Sequence, residues 1–172
     1  MHANVASLTT SPPAAVLPLH PPTLVIGYGN TLRSDDGAGV IAATRLAEQA
    51  STLQQAPRVI AAQQLTPDLA ESIASAAQVV FVDAYAADRR DAGLRVERIA
   101  SGDIQPAPAL DHHADRAALL RLADRLYGKR PDAWVVGIPA FRFDIGESVS
   151  PATARRIDEA VELLVGSHDE SK

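Results

Sequence analysis

The stretch TLVIGYGNTLRSDDGAGV, residues 23–40, decides the fold of this chain of 172 residues. An apolar strand runs into Gly27 and Gly29, and glycine lets the backbone approach a ligand closely. Asp35 and Asp36 follow at the predicted start of a helix. Two carboxylates there would repel the phosphate that a helix N-terminus ordinarily attracts, whereas they would attract a cation. The turn is therefore predicted to meet a positively charged centre.

Length and composition predict one globular domain with a substantial core. Residues 1–22, rich in proline and alanine, are predicted to be a flexible extension, and residues 167–172 a polar tail. The domain is expected to span residues 23–166. The extension lacks the basic segment and apolar core of a secretory signal, and no apolar run of about 20 residues could span a membrane. We therefore expect a cytoplasmic protein without a membrane segment.

Several function classes are disfavoured by charge and by missing motifs. A net charge of −5 argues against nucleic-acid binding. The absence of cysteine excludes disulfides, iron–sulfur ligation and cysteine nucleophiles. The sequence has no G-x-S-x-G elbow, no H-E-x-x-H helix and no phosphate-binding P-loop. It also lacks the third glycine of a dinucleotide fingerprint. A nucleotide enzyme or a self-sufficient hydrolase is thus poorly supported.

Strand-like and helix-like segments alternate along the chain. Thr66 is predicted to cap the second helix, with Pro67 in its first position. Leu119, Leu122 and Leu126 are predicted to share one face of a later helix. This alternation predicts an α/β three-layer sandwich, a doubly wound, mostly parallel twisted sheet of about five strands with helices on both faces. Beyond the first strand, strands are predicted at residues 58–65, 79–82, 94–99 and 134–138.

Three polar positions are expected at the carboxyl edge of this sheet, where ligands bind in such folds. Asp36 begins the first helix, Asp83 ends the third strand, and the sequence 111–113 (Asp-His-His) precedes the later helix. Two carboxylates and an imidazole suit a borderline divalent metal such as nickel or zinc. Three protein ligands would leave coordination positions open for water or a partner.

Each of these residues also has a purely structural explanation. Asp36 could complement the helix dipole, and Asp83 could cap a turn after a buried strand. His112 or His113 could be an ordinary surface residue. The metal hypothesis depends on the three positions converging.

An ordered series of motifs resembles the [NiFe]-hydrogenase maturation proteases. The similarity spans roughly residues 23–165 and is most specific in its first motif. The motifs are GYGNTLRSDDGAGV (27–40), QLTPDLA (64–70), VVFVDA (79–84), HHADRAALL (112–120), LYG (126–128) and IGESVSP (145–151).

The resemblance implies an endopeptidase that removes a C-terminal extension from the hydrogenase large-subunit precursor after nickel insertion. Family metal contacts carry over to Asp36, Asp83 and His112, which would be both the catalytic and the metal-binding residues. His112 is preferred to His113 because it keeps the family's spacing to the leucines at 119–120. The nickel would arrive with the precursor, although the same ligands could pick up zinc or cadmium adventitiously. A monomer is expected.

Two departures from the family pattern stand out. Residues 63–67 (QQLTP) replace an Asp-Gly-Gly-Thr stretch of several members, which places the chain in a different branch. Asp115 and Arg116 stand where relatives often have Ser/Asp-Pro, a change expected to matter little.

Two other functions fit the same residues. A non-catalytic nickel-binding checkpoint or chaperone for hydrogenase assembly would use the same three ligands, and product mass would distinguish it from a protease. A small-molecule-binding α/β domain would show no metal dependence and would be indifferent to Asp83→Ala.

Overall fold

Five strands form one sheet in the order β2-β1-β3-β5-β4. The computed structural model describes residues 17, 19, 21–51, 53, 55–88, 93–99 and 112–169, except for the side chains of 112–114 and 167–169. All neighbouring strands are parallel except β4, which runs antiparallel to β5. The predicted α/β class with a mostly parallel sheet is confirmed. The strands are β1 Thr23–Tyr28, β2 Arg58–Ala62, β3 Gln78–Ala86, β4 Arg95–Ile99 and β5 Asp132–Ala140.

Helices cover both faces of the sheet. They are α1 Ala38–Ala50, α2 Leu69–Ala74, α3 His112–Tyr127 and α4 Pro151–Asp169. Side chains alternate across a strand, so Val80 and Val82 pack in the cluster that holds α1 and α4. Val79 and Phe81 face the opposite cluster, which holds α2 and α3. Within the described part of the chain, no helix is long and apolar enough to cross a membrane.

Some predicted element boundaries are wrong. β3 does not end at Asp83 but continues to Ala86, because its pairing with β5 persists from Asp83↔Gly137 to Ala86↔Ala140. β2 ends at Ala62, three residues before the predicted end at residue 65.

The predicted start of the second helix is also wrong. Thr66 does not cap α2 through its side chain; its carbonyl accepts the Leu69 N–H (3.1 Å) in a turn that precedes the helix.

The buried face of α3 also differs from the predicted leucine stripe. Leu119, Leu120 and Ala123 are buried, whereas Leu126 is 63% exposed. Leu119 and the partly buried Leu122 pack in the cluster as predicted, so the error is confined to Leu126. The end of α3 is as predicted, since Gly128 has a φ of 62° and its N–H donates to the Asp124 carbonyl (2.8 Å).

The folded part begins before residue 23 and continues past residue 166. Leu17 and Leu19, which the sequence assigned to the flexible extension, are 1% and 2% exposed and belong to the core cluster of α1 and α4. The Pro22 carbonyl accepts the Ala77 N–H (2.9 Å) just before β3. Helix α4 runs to Asp169, three residues into the predicted polar tail. Residues 1–16 of the predicted extension lie outside the described residues.

The sheet has a topological switch point at β1. The chain passes from β1 to β2 on one side and later returns to place β3 on the other side of β1. In doubly wound sheets, the crevice at the carboxyl ends of the two strands flanking such a point is where ligands bind. Tyr28 ends β1, and Asp83 follows Val82, the partner of Gly27, so both residues lie at this crevice.

Candidate functional site

Glycine in α1 allows the helix to pack directly on the carboxyl ends of the two central strands. A Cβ on Gly39 would lie 2.4 Å from the Tyr28 carbonyl oxygen and 2.4 Å from the Val82 carbonyl oxygen. Real Cβ atoms do not approach oxygen so closely, so no other residue fits without a shift of the backbone. This contact holds the start of α1 against the switch point.

The two adjacent aspartates lie in a 3₁₀ turn, Ser34–Gly37, rather than in the first turn of an α-helix as predicted. A 3₁₀ turn before an α-helix is common. Ser34 adopts a positive φ of 51°, which is unusual for a residue other than glycine. Its N–H donates to the Gly146 carbonyl (2.7 Å) and its hydroxyl to the Asp144 carbonyl (2.9 Å). These bonds tie the turn to the connection between β5 and α4.

Asp35 is a structural residue. It is 0% exposed, and its carboxylate accepts five hydrogen bonds from the segment after β5 and the start of α4. The donors are the Phe141, Arg142 and Ser150 N–H groups and the Ser150 and Thr153 hydroxyls, at 2.6–3.0 Å. Burial alone would raise the pKa of Asp35, but these hydrogen bonds, led by that from Ser150, hold it below its ordinary value of 3.8.

Asp36 has different surroundings from its neighbour. It is half-buried, and its Oδ2 accepts the Asn30 N–H at 3.2 Å. The 3₁₀ turn that carries it contacts β3, the strand of Asp83. Of the two aspartates, Asp36 therefore keeps a carboxylate accessible to a ligand, whereas Asp35 is enclosed by the protein.

Among the described side chains, Asp83 is clustered with Tyr28 and Arg116 in the protein interior. Its Oδ2 accepts the Tyr28 hydroxyl at 2.7 Å and Arg116 Nη1 at 3.1 Å. Arg116 Nη1 also donates to the Tyr28 hydroxyl oxygen at 2.5 Å. The side chains of Arg116 and Asp83 are only 4% and 9% exposed, so water screens their attraction weakly. Burial, reinforced by the Asp83 charge, raises the pKa of Tyr28 well above its ordinary range and keeps the phenol protonated.

The expectation that Arg116 matters little is wrong. It reaches from α3 to Tyr28 on β1 and Asp83 on β3, and it balances the charge of one of the two candidate acids. The sequence did not single out Tyr28 either. Its one signal was its place in G-Y-G at the end of the first strand, where alternation puts it on the same face as Leu24 and Ile26.

His112 is the first residue of α3, one helical turn before Arg116, which places its backbone near the candidate site. Its side chain and that of His113 lie outside the described residues, and so does Asp111. The convergence of Asp36, Asp83 and His112, and the choice of His112, therefore stay predictions. Among the side chains that are described, no three His, Asp or Glu residues are grouped as a metal site.

The described donors of the crevice are two carboxylates. They are a half-buried carboxylate from the 3₁₀ turn and a buried carboxylate from β3. Carboxylates with an imidazole are ligands that nickel and zinc accept. The charge of Asp83 is already balanced by Arg116, however, so the described residues give no strong negative centre for a resident ion.

Solved structures of hydrogenase maturation proteins share this fold. The hydrogenase maturating endopeptidase HybD from E. coli is 21% identical, with 87% of this chain and 93% of that chain covered and a TM-score of 0.72. The [NiFe] hydrogenase maturation protease HybD from Thermococcus kodakarensis is 22% identical over 85% and 98% of the chains, with a TM-score of 0.64. HycI from T. kodakarensis KOD1, also a [NiFe] hydrogenase maturation protease, is 19% identical over 86% and 92%, with a TM-score of 0.65.

The resemblance found in the motifs therefore extends to the three-dimensional structure, and similarity at this level of identity establishes the shared fold. No family model matches the sequence, and no curated protein sequence matches it either.

Proposed function

We propose that this protein is an endopeptidase that removes the C-terminal extension of a [NiFe]-hydrogenase large-subunit precursor after nickel insertion. The observation that carries the proposal is the placement of Asp83 and of the turn bearing Asp36 at the switch-point crevice. The fold shared with named maturation proteases supports it. We further propose that the protein acts as a monomer in the cytoplasm.

In this proposal the nickel belongs to the substrate. A bound divalent metal can polarise a scissile carbonyl or lower the pKa of a bound water towards about 7, so hydrolysis needs no protein nucleophile. Asp36, Asp83 and His112 would contact the nickel from the protein side. Asp36 contributes its accessible carboxylate, and Asp83 a carboxylate held by Tyr28 in a defined orientation. Cleavage would thereby depend on correct metal loading.

The decisive experiment is intact-mass analysis of the cognate large-subunit precursor, nickel-loaded and nickel-free, after incubation with the protein. Loss of a short C-terminal peptide from the nickel-loaded sample alone is the expected result. Nickel-dependent binding without loss of mass would identify a checkpoint or chaperone instead. Neither binding nor cleavage by any nickel-loaded precursor would refute the proposal.

Residue assignments can be tested with isosteric variants. Asp36→Asn and His112→Gln are expected to abolish cleavage, and His113→Gln to retain it. Asp83→Asn is preferable to Asp83→Ala, because the asparagine carbonyl oxygen can still accept the hydrogen bonds of Tyr28 and Arg116, which alanine would leave without an acceptor. Asp158→Asn is a matched control, since it removes an equal charge from an exposed carboxylate on α4.

A further inference from the structure

Asp83 is neutralised from within the protein. Arg116 Nη1 lies 3.1 Å from Asp83 Oδ2, and both side chains are more than nine-tenths buried. The hydroxyl of Tyr28 bonds to both partners, since it donates to Asp83 Oδ2 and accepts from Arg116 Nη1. The carboxylate therefore forms one half of an ion pair in this conformation.

We propose that Arg116 is a built-in counter-cation that prevents Asp83 from holding a divalent metal ion from solution, so that the carboxylate engages nickel only when the precursor presents it. This inference rests on the proposed function, because it specifies how that same site is regulated. Arg116 is then a specificity-determining residue that acts through Asp83.

Electrostatics gives the direction of the effect. A divalent cation bound at Asp83 would sit within a few ångströms of the guanidinium, in surroundings where water screens the repulsion weakly. The cation must therefore displace Arg116 or bind against its charge. Mutating a residue that bonds to a metal ligand typically costs about 10–100-fold in metal affinity. Arg116 differs from such partners because its charge repels the metal, so removing it should change affinity in the opposite direction. An increase of that size is expected when the positive charge of Arg116 is removed.

The position of Arg116 on α3 links this ion pair to the rest of the site. His112, the residue assigned to nickel, begins the same helix one turn earlier. The counter-cation and the residue assigned to nickel are therefore carried by adjacent turns of the same helix.

The test is calorimetric titration of the full-length protein with Ni²⁺ alone and, separately, Zn²⁺ alone, without precursor. Arg116→Gln is expected to bind at least about 10-fold more tightly than the wild type. Arg116→Lys, which keeps the charge, should stay close to the wild type. Arg45→Gln is a matched control that removes the same charge from an exposed ion pair with Asp158, and it should change nothing. Circular dichroism checks that each variant is folded.

The gain must depend on Asp83. In the Arg116→Gln background, a further Asp83→Asn change should abolish the increase in affinity. A folded Arg116→Gln protein with unchanged affinity, or a gain that survives Asp83→Asn, would overturn the proposal.

The wild-type background provides a second test if Arg116→Gln fails to fold. There Asp83→Asn should alter metal affinity by less than about threefold, because the carboxylate is already engaged. A loss of metal affinity close to 10–100-fold would overturn the proposal, because changes of that size are typical where a ligand is available to the metal. Undetectable binding by both proteins agrees with it.

These titrations contain no precursor, so they are independent of cleavage. Cleavage without the affinity gain would reject the role of Arg116 alone. The affinity gain without cleavage would reject the protease function and leave the counter-cation in place.

Discussion

The adjacent residues Asp35 and Asp36 should respond in opposite ways to the same isosteric change. Asp35→Asn is expected to destabilise the fold severely, whereas Asp36→Asn should leave stability almost unchanged and eliminate processing. Four of the five hydrogen bonds to Asp35 end on Oδ2 and one, from the Ser150 N–H at 2.6 Å, ends on Oδ1. An asparagine side chain has only one acceptor oxygen, so it can accept the bonds at one of these two positions and not at both.

The magnitude follows from these contacts. If the amide nitrogen of the asparagine takes the Oδ1 position, its NH2 group faces the backbone N–H of Ser150, and neither can accept. One buried donor without an acceptor costs about 1–3 kcal/mol. The remaining four bonds lose their charge assistance, which weakens each by about 0.5–1 kcal/mol. A total loss of at least about 3 kcal/mol is expected for Asp35→Asn. Asp36 accepts one 3.2 Å bond from the Asn30 N–H in a half-buried position, so its change should cost less than about 1 kcal/mol.

Urea denaturation followed by circular dichroism and by the fluorescence of Trp134, the single tryptophan, measures both values. With a slope of about 2 kcal/mol/M, the midpoints of the two variants should differ by about 1 M or more. Equal midpoints, or an Asp36→Asn protein that is the less stable of the two, would refute the division into a structural and a functional aspartate.

Three further outcomes are expected. The folded-state pKa of Asp35 lies below 3.8, so the contribution of its carboxylate to the free energy of unfolding is fully present above pH 3.8 and is lost as pH falls through the folded value. The difference in urea midpoint between wild type and Asp35→Asn should therefore close in acid. Gly39→Ala should destabilise the protein, because its Cβ would meet two carbonyl oxygens at 2.4 Å. Gly166→Ala, which lies in open space on α4, should instead stabilise it by about 0.5–1 kcal/mol. Thermal melts measure both effects, and equal effects would contradict the close packing of α1. Tyr28→Phe should cost about 1–2 kcal/mol by urea denaturation while preserving the ion pair of Arg116, and no loss at all would contradict the buried cluster.

The sequence predicted what depends on local pattern. Apolar runs alternating with amphipathic stretches are sufficient to predict a doubly wound sheet. Gly128 was predicted to end α3, because a helix end there needs only a local left-handed residue. In both cases the pattern that carries the prediction is local in the sequence.

Contacts between distant segments could not be predicted in the same way. Nothing near Asp35 indicates that its donors lie more than a hundred residues away, at Phe141 and Ser150. Arg116 looks like an exposed helical arginine until the orientation of α3 is known, and the predicted stripe wrongly included Leu126. Leu17 and Leu19 lie among prolines and alanines in the sequence, and only their packing with α1 and α4 shows that they belong to the core.

These long-range contacts change the chemistry that is expected of the motif. From the sequence, Asp36 and Asp83 are two equivalent acids that would attract any divalent cation. In the folded protein they differ, because Asp36 is half-buried with one backbone hydrogen bond and Asp83 is paired with a buried cation. A site of this kind gains little from a metal ion alone, since binding must first separate the ion pair. It gains more from a metal fixed in a docked protein partner, whose additional contacts can offset that separation. The same ion pair that weakens the site for a solution ion would therefore make it selective for nickel already inserted in a precursor.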